Sequence, residues 1–175
     1  MSGVKTERIL VIAIGLCLAG LAWSVYGTFH ERIIVAGDTA PDFSITTDAG
    51  RTITRSNFGG KLLVLNFWAT WCPPCIEEMP SLNQFQKTFA DKGVVVLAVS
   101  VDQNAQAYSQ YLARLKPAFQ TARDPEGGIS ADYGTSKYPE TYIITPNGKV
   151  VEKIISNRDW TDPAFVNEIK SLLAS

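Results

Sequence analysis

An excess of charge of either sign is missing from this chain, and histidine and cysteine are scarce. Its 175 residues carry 16 Lys and Arg against 17 Asp and Glu, a formal charge of −1 at pH 7. A surface so balanced offers no basic footprint for phosphate backbones, which argues against nucleic-acid binding. There is one histidine, His30, and there are three cysteines, Cys17, Cys72 and Cys75. A structural zinc site needs four nitrogen or sulfur ligands, and only two of these residues stand close in sequence. A copper chaperone pairing two thiolates with an imidazole lacks a suitable imidazole. No internal repeat or low-complexity tract appears, and the length suits a single core of ordinary size.

Charge is also absent from positions 9–26, an 18-residue run preceded by Lys5 and Arg8. Such a run with such a flank predicts one transmembrane helix, its short N-terminal side in the cytoplasm and the rest outside. Trp23 and Tyr26 stand near the outer end, where amphipathic rings prefer the interface. A cleaved signal peptide is the rival, with Gly20 and Ala22 as a small-residue cleavage site, but the apolar run continues past it. Cys17 reads as an apolar-compatible residue of this segment rather than a lipid-attachment site. The expected organisation is a cytoplasmic tail over 1–8, an anchor over 9–27, a linker over 28–36 and one domain over 37–175.

The strongest local signal is Trp71-Cys72-Pro73-Pro74-Cys75, set between the apolar run 62–68 and the amphipathic segment 76–89. A strand should run straight into a helix, with Cys72 at its first turn. Unpaired N–H groups and the positive end of the helix dipole favour a thiolate there. Pro73 and Pro74 suit a first turn, because its residues have no intrahelical N–H bond to lose. Cys75, three residues on, shares a helical face with Cys72, close enough to close a disulfide without backbone movement. An inert structural disulfide would remove little unfolded-state entropy across so short a loop, so reversible thiol–disulfide exchange is the favoured chemistry.

The stretch from Gly60 through Leu65-Asn66-Phe67-Trp68-Ala69-Thr70-Trp71 to Cys75, with Glu78, Met79 and Pro80, resembles the membrane-anchored thioredoxin-like reductases of the TlpA/ResA/CcmG group. The likeness covers roughly Gly37 to the C-terminus. It implies an α/β thioredoxin-like fold, a mixed central sheet flanked by helices, with an added N-terminal hairpin and a βα insert. It also implies an extracytoplasmic thiol–disulfide oxidoreductase that needs no cofactor or metal, on the bacterial inner membrane with its catalytic domain in the periplasm. Client proteins with disulfides, such as apocytochrome c or copper-site proteins, would be its substrates. A membrane thiol reductase of the CcdA/DsbD kind would supply its electrons.

The remaining pattern agrees with that fold. Short strands at 42–46 and 51–54 flank the turn Asp48-Ala49-Gly50. Segment 62–68 reads as a strand covered on both faces, and 94–101 as its parallel neighbour across one helix. In that helix Ile76, Met79, Leu82, Phe85 and Phe89 recur at core spacing, and Pro80 should kink it. Asp102 or Asn104 caps a helix running to about Leu115, and 119–122 is a short strand. Cys75 and Pro139 are 64 positions apart, which leaves room for the insert within 94–125. Strands at 141–145 and 149–155 flank Pro146-Asn147-Gly148, and Asp162 caps a last helix with Phe165, Ile169 and Leu172 on one face.

Cys72 is the expected nucleophile, partly exposed, and Cys75 the resolving thiol. Asn66 stands where the resemblance to thioredoxins would place a buried carboxylate, and an amide cannot transfer a proton at neutral pH. Glu78, one turn beyond Cys75, is the candidate acceptor, its pKa raised if it is buried; the alternative is a solvated acid. Glu77 is expected to be merely solvated. Pro139 stands where thioredoxin-like folds carry a cis-proline facing the cysteines, and Tyr138 is bulkier than the usual residue there. Trp71, Pro73, Pro74, Tyr138 and Pro139 are the client-contact candidates, with Trp71 shielding the sulfurs and Trp68 in the packing. The runner-up activity, a thiol peroxidase of the redoxin superfamily, would want a threonine where Ala69 stands. Arg158-Asp159-Trp160 reads only as a surface turn.

Overall fold

The computed structural model describes the backbone of residues 3–28 and 33–174, and the side chains of 7–8, 10–24 and 33–174. The side chains of Lys5 and Tyr26, tail positions 1–2, His30 and linker positions 29–32 lie outside the described residues. Two units are present, Met1–Arg32 and Ile33–Ser175.

The first unit contains helix α1, Gly3–Thr28. Here the expectation of a membrane anchor is corrected: among the described residues, no helix is long and apolar enough to cross a membrane. The single-pass inner-membrane placement read from the sequence therefore does not stand.

The second unit begins with a two-stranded antiparallel sheet, β1 (Ser44–Thr46) and β2 (Thr52–Thr54). Its main sheet has five strands: β3 (Leu62–Trp68), β4 (Val94–Ser100), β5 (Gln120–Arg123), β6 (Glu140–Ile144) and β7 (Val150–Ile155). Their order is β5-β4-β3-β6-β7. β3 pairs parallel with β4, and β4 with β5, while β3 with β6 and β6 with β7 are antiparallel. This is a thioredoxin-like mixed sheet with β3 at its centre. All seven residues of β3 are buried, which is why its sequence is an apolar run rather than an alternation.

Helices α2 (Pro73–Phe89), α3 (Ala105–Leu115), α4 (Gly128–Asp132) and α5 (Pro163–Ala174) complete the unit. Successive β3 side chains point to opposite faces. Leu62, Val64 and Trp68 join the cluster with Met79, Leu82, Phe85 and Phe89 of α2 and Phe165 and Ile169 of α5. Leu63, Leu65 and Phe67 join the other, with Phe43, Ile53, Tyr133 and Tyr142. By the same alternation Asn66 lies on the α2 face. The α3–β5 segment adds the edge strand beside β4. Asn104, not Asp102, caps α3: its Oδ1 accepts from the N–H groups of Gln106 and Ala107 at 3.0 Å. Asp102 instead receives Thr70 N–H at 2.9 Å and the Thr70 hydroxyl at 2.6 Å, fixing the loop that leads to Cys72.

Phe85 links three elements, its ring centroid 4.7 Å from Phe89, 5.6 Å from Trp160 and 5.8 Å from Phe165. Phe85→Ala is expected to destabilise the fold by about 3–5 kcal/mol, the usual cost of emptying a buried aromatic site. Urea unfolding should show a lower midpoint at an unchanged slope; a loss below about 1 kcal/mol would mean that the ring does not join these elements.

Candidate active site

β3 ends at Trp68, and the chain reaches α2 through Ala69, Thr70 and Trp71. Cys72 is the N-cap of α2, with extended backbone at φ −102° and ψ 101°, and Pro73 and Pro74 fill the first turn. Cys75 N–H donates to Cys72 Sγ at 3.3 Å, so an unpaired donor of the helix start points at the sulfur. Cys72 and Cys75 are joined by a disulfide with a Cα–Cα distance of 5.3 Å. Cys72 is 5% exposed and Cys75 is fully buried. Cys72 is thus less open than its position suggested, yet it is the outer residue of the pair.

The rim is aromatic. Trp71 is 64% exposed and meets the edge of Tyr138 at a centroid distance of 6.0 Å. The Tyr138–Pro139 peptide is cis. Phe67 of β3 pairs with Glu140 of β6, so Pro139, just before β6, lies beside the end of β3 from which the cysteine loop departs. Pro73 is exposed and Pro74 half-buried. Trp68 is buried, its ring tilted against Tyr108 at 5.9 Å and Tyr111 at 5.4 Å between centroids. Ala69, three residues before Cys72, is buried and carries no hydroxyl, so the thiol peroxidase reading lacks its threonine.

Behind the disulfide, one turn along α2, Glu78 is buried at 2% exposure. Its Oε1 accepts from Asn66 Nδ2 at 2.9 Å. Its Oε2 accepts from the Trp160 indole N–H at 3.1 Å and the Arg158 backbone N–H at 3.3 Å. Burial pushes the carboxyl up from 4.5 to about 7, while these donors and the Arg158 charge pull it part of the way back. A carboxyl in this range exchanges protons at neutral pH. Glu77, by contrast, is exposed and accepts from Asn157 Nδ2 at 3.0 Å.

The Arg158–Trp160 segment is not the surface turn that its sequence suggested. Trp160 is fully buried, and Arg158 stacks over Phe165 at 3.6 Å. Their partner is some 80 residues away in sequence, so no local spacing betrays the contact. A large aromatic just before the Asp162-capped helix was the available hint. Among the described residues, no group of three or more His, Cys, Asp or Glu is arranged to hold a metal ion.

The sequence pattern of the AhpC/TSA family matches residues 36–153. The chain belongs to the AhpC/TSA family. Within it, the chain is 33% identical over 156 residues to the thiol-disulfide oxidoreductase ResA of Geobacillus thermodenitrificans, covering 87% of this chain and 89% of the relative. It is 36% identical over 132 residues to the thioredoxin-like protein YneN of Bacillus subtilis, covering 73% and 77%. A solved structure from Chlorobium tepidum, described as thiol:disulfide interchange protein DsbE, superimposes with a TM-score of 0.72 at 32% identity, over 81% of this chain and 99% of that one. This AhpC/TSA member is a thiol–disulfide oxidoreductase of the extracytoplasmic ResA/DsbE type, acting through its CxxC motif.

Glu78 also makes stability depend on pH. The folded chain holds its proton up to about pH 7, whereas the unfolded carboxyl releases it near 4.5. The folded state therefore binds more protons between those values, and stability falls as pH rises through that window. The shift corresponds to roughly 3 kcal/mol. Urea unfolding of the oxidised protein and of Glu78→Gln across this range should show the wild-type stability declining relative to the variant; a constant difference would contradict the buried acid.

Proposed function

We propose that this oxidoreductase reduces disulfides in client proteins, with Cys72 attacking and Cys75 resolving. The observation that carries the reading is the asymmetry of the pair: Cys72 caps the start of α2 and keeps some exposure, and Cys75 lies fully buried with Glu78 one turn beyond it. The Cys72 thiolate attacks one client sulfur, breaking the client disulfide, and the first client thiolate leaves. Cys75 then passes its proton to the Glu78 carboxylate, and its thiolate attacks Cys72 Sγ. The Cys72–Cys75 disulfide forms and the second client thiolate departs, so two electrons have moved from the pair to the client.

Residues 37–175 form the catalytic domain in this reading. Trp71, Pro73 and Pro74 give the client an apolar rim, and the backbone at Tyr138 before Pro139 pairs with an extended client segment. Apocytochrome c and copper-site proteins are the proposed clients, on the likeness to the TlpA/ResA/CcmG group. A dithiol donor of the CcdA/DsbD kind would return two electrons to Cys72–Cys75 after each turnover.

Cys72→Ser should abolish exchange, and Cys75→Ser should accumulate a long-lived mixed disulfide through Cys72, detected by mapping the linked peptides. A client trapped on Cys75 would reverse the roles. In cells, alkylation after acid quenching should find the wild-type pair mostly reduced; a steadily oxidised pair would make the protein a disulfide donor.

A further inference from the structure

The three hydrogen bonds to the Glu78 carboxyl are not equivalent. Trp160 Nε1 and the Arg158 backbone N–H both bind Oε2, and both are donors only. Neither can accept a proton carried by that oxygen. Oε1 has a different neighbour, the Asn66 carboxamide, whose Nδ2 donates to Oε1 at 2.9 Å and to Thr141 Oγ1 at 2.9 Å. Asn66 is fully buried, and its Oδ1 has no hydrogen-bond partner. A carboxamide presents a donor on one side and an acceptor of nearly equal size on the other, so it can turn over without needing space.

We propose that Asn66 is a positioning residue for the proton of Glu78: its Nδ2 donates to Oε1 of the carboxylate, and the amide turns to present Oδ1 when Oε1 carries the proton. The inference rests on the reading of Glu78 as the proton acceptor for Cys75. The Thr141 hydroxyl follows the turn, accepting from Nδ2 in one state and donating to Oδ1 in the other. Each state leaves one side of the amide unpartnered, so the balance is set by whether Glu78 is ionised. A carboxylate favours the donor, because a charge-assisted hydrogen bond is the stronger one. A carboxylic acid favours the acceptor. Oε1 is then the oxygen that takes the Cys75 proton and later returns it, while Oε2 stays fixed by Trp160 and the Arg158 backbone.

The charged groups around the network are accounted for. Arg158 lies close enough to favour the ionised form and is paired with Glu152 of β7 at 3.5 Å. Glu168 of α5 acts on Glu152. Glu140 of β6 is paired with Lys153 of β7 at 2.7 Å. Glu77 of α2 is held by Asn157. In the oxidised protein Cys72 and Cys75 are joined and do not titrate, while burial holds the Glu78 carboxyl at about 7.

The test uses the full oxidised chain, labelled for NMR. The Glu78 side-chain carbon and the Asn66 side-chain amide are followed across pH, with the cross-relaxation between the Asn66 amide hydrogens and the Thr141 side chain. Well above neutrality the Asn66 NH2 should contact Thr141; well below it that contact should be lost, with the midpoint of Glu78. Glu78→Gln should remove the pH dependence of the Asn66 signals. A titrating Glu78 with an Asn66–Thr141 contact that persists at both extremes would overturn the inference and leave the acceptor role intact. A Glu78 carbon that does not titrate near neutrality would overturn both. Asn66→Leu, checked for native fold by circular dichroism, should slow resolution several-fold at neutral pH and recover at high pH, because a buried carboxyl without its donor ionises later. A uniform loss at every pH would mark Asn66 as merely structural and overturn the proposal.

Discussion

A carboxyl group taken out of water inside a packed core is the constraint that the rest of this domain serves. Glu78 lies behind the disulfide on the covered face of the central strand, where an isolated charge would be costly. Three donors from two distant segments meet it there: Asn66 from β3, and the Arg158 backbone and the Trp160 indole from the loop between β7 and α5. Their support is partial, and burial outweighs it. That imbalance leaves the carboxyl able to exchange a proton near neutrality.

The fold explains how the donors arrive. β3 lies at the middle of the sheet, so every other side chain faces α2, and position 66 is one of these. α2 begins at the very end of β3, with Cys72 as its cap and two prolines in the turn that has no N–H bonds to lose. Cys75 and Glu78 then follow at three-residue intervals down one face. The loop carrying Arg158 and Trp160 is anchored from below by Phe85 and Phe165, whose rings lie 5.6 Å and 5.4 Å from the indole. The exposed Trp71–Tyr138 pair thus comes from the cysteine loop and the turn before β6, while the buried Glu78 is held by the core.

Much of this was legible because it is local. The unbroken apolar run of β3, the prolines after Cys72, the turn before β7 and the Asp162 cap each announce an element through its own physical requirement. Cys72, Cys75 and Glu78 share a face by spacing alone. Asn66 carried a signal as well: a polar residue in a strand buried on both faces must find an internal partner. What the sequence hid is what depends on distant pairing. Trp160 and Arg158 reach Glu78 across roughly 80 positions, and Asp102, a cap candidate by type, is drawn instead to Thr70. The N-terminal run misled in another way, since composition suggested a span that the described helix does not supply.

Glu78 is proposed to accept the proton of Cys75 during resolution. This transfer is tested most directly by the pH–rate profile for release of a client thiol from a preformed mixed disulfide on Cys72, followed by rapid mixing in wild type and Glu78→Gln. The wild-type rate should rise through a midpoint near 7. In the variant, release at neutral pH should be slower by about a hundredfold, with its rise displaced to the alkaline range of an unassisted thiol. Equal rates and an unchanged midpoint in the two proteins would contradict it.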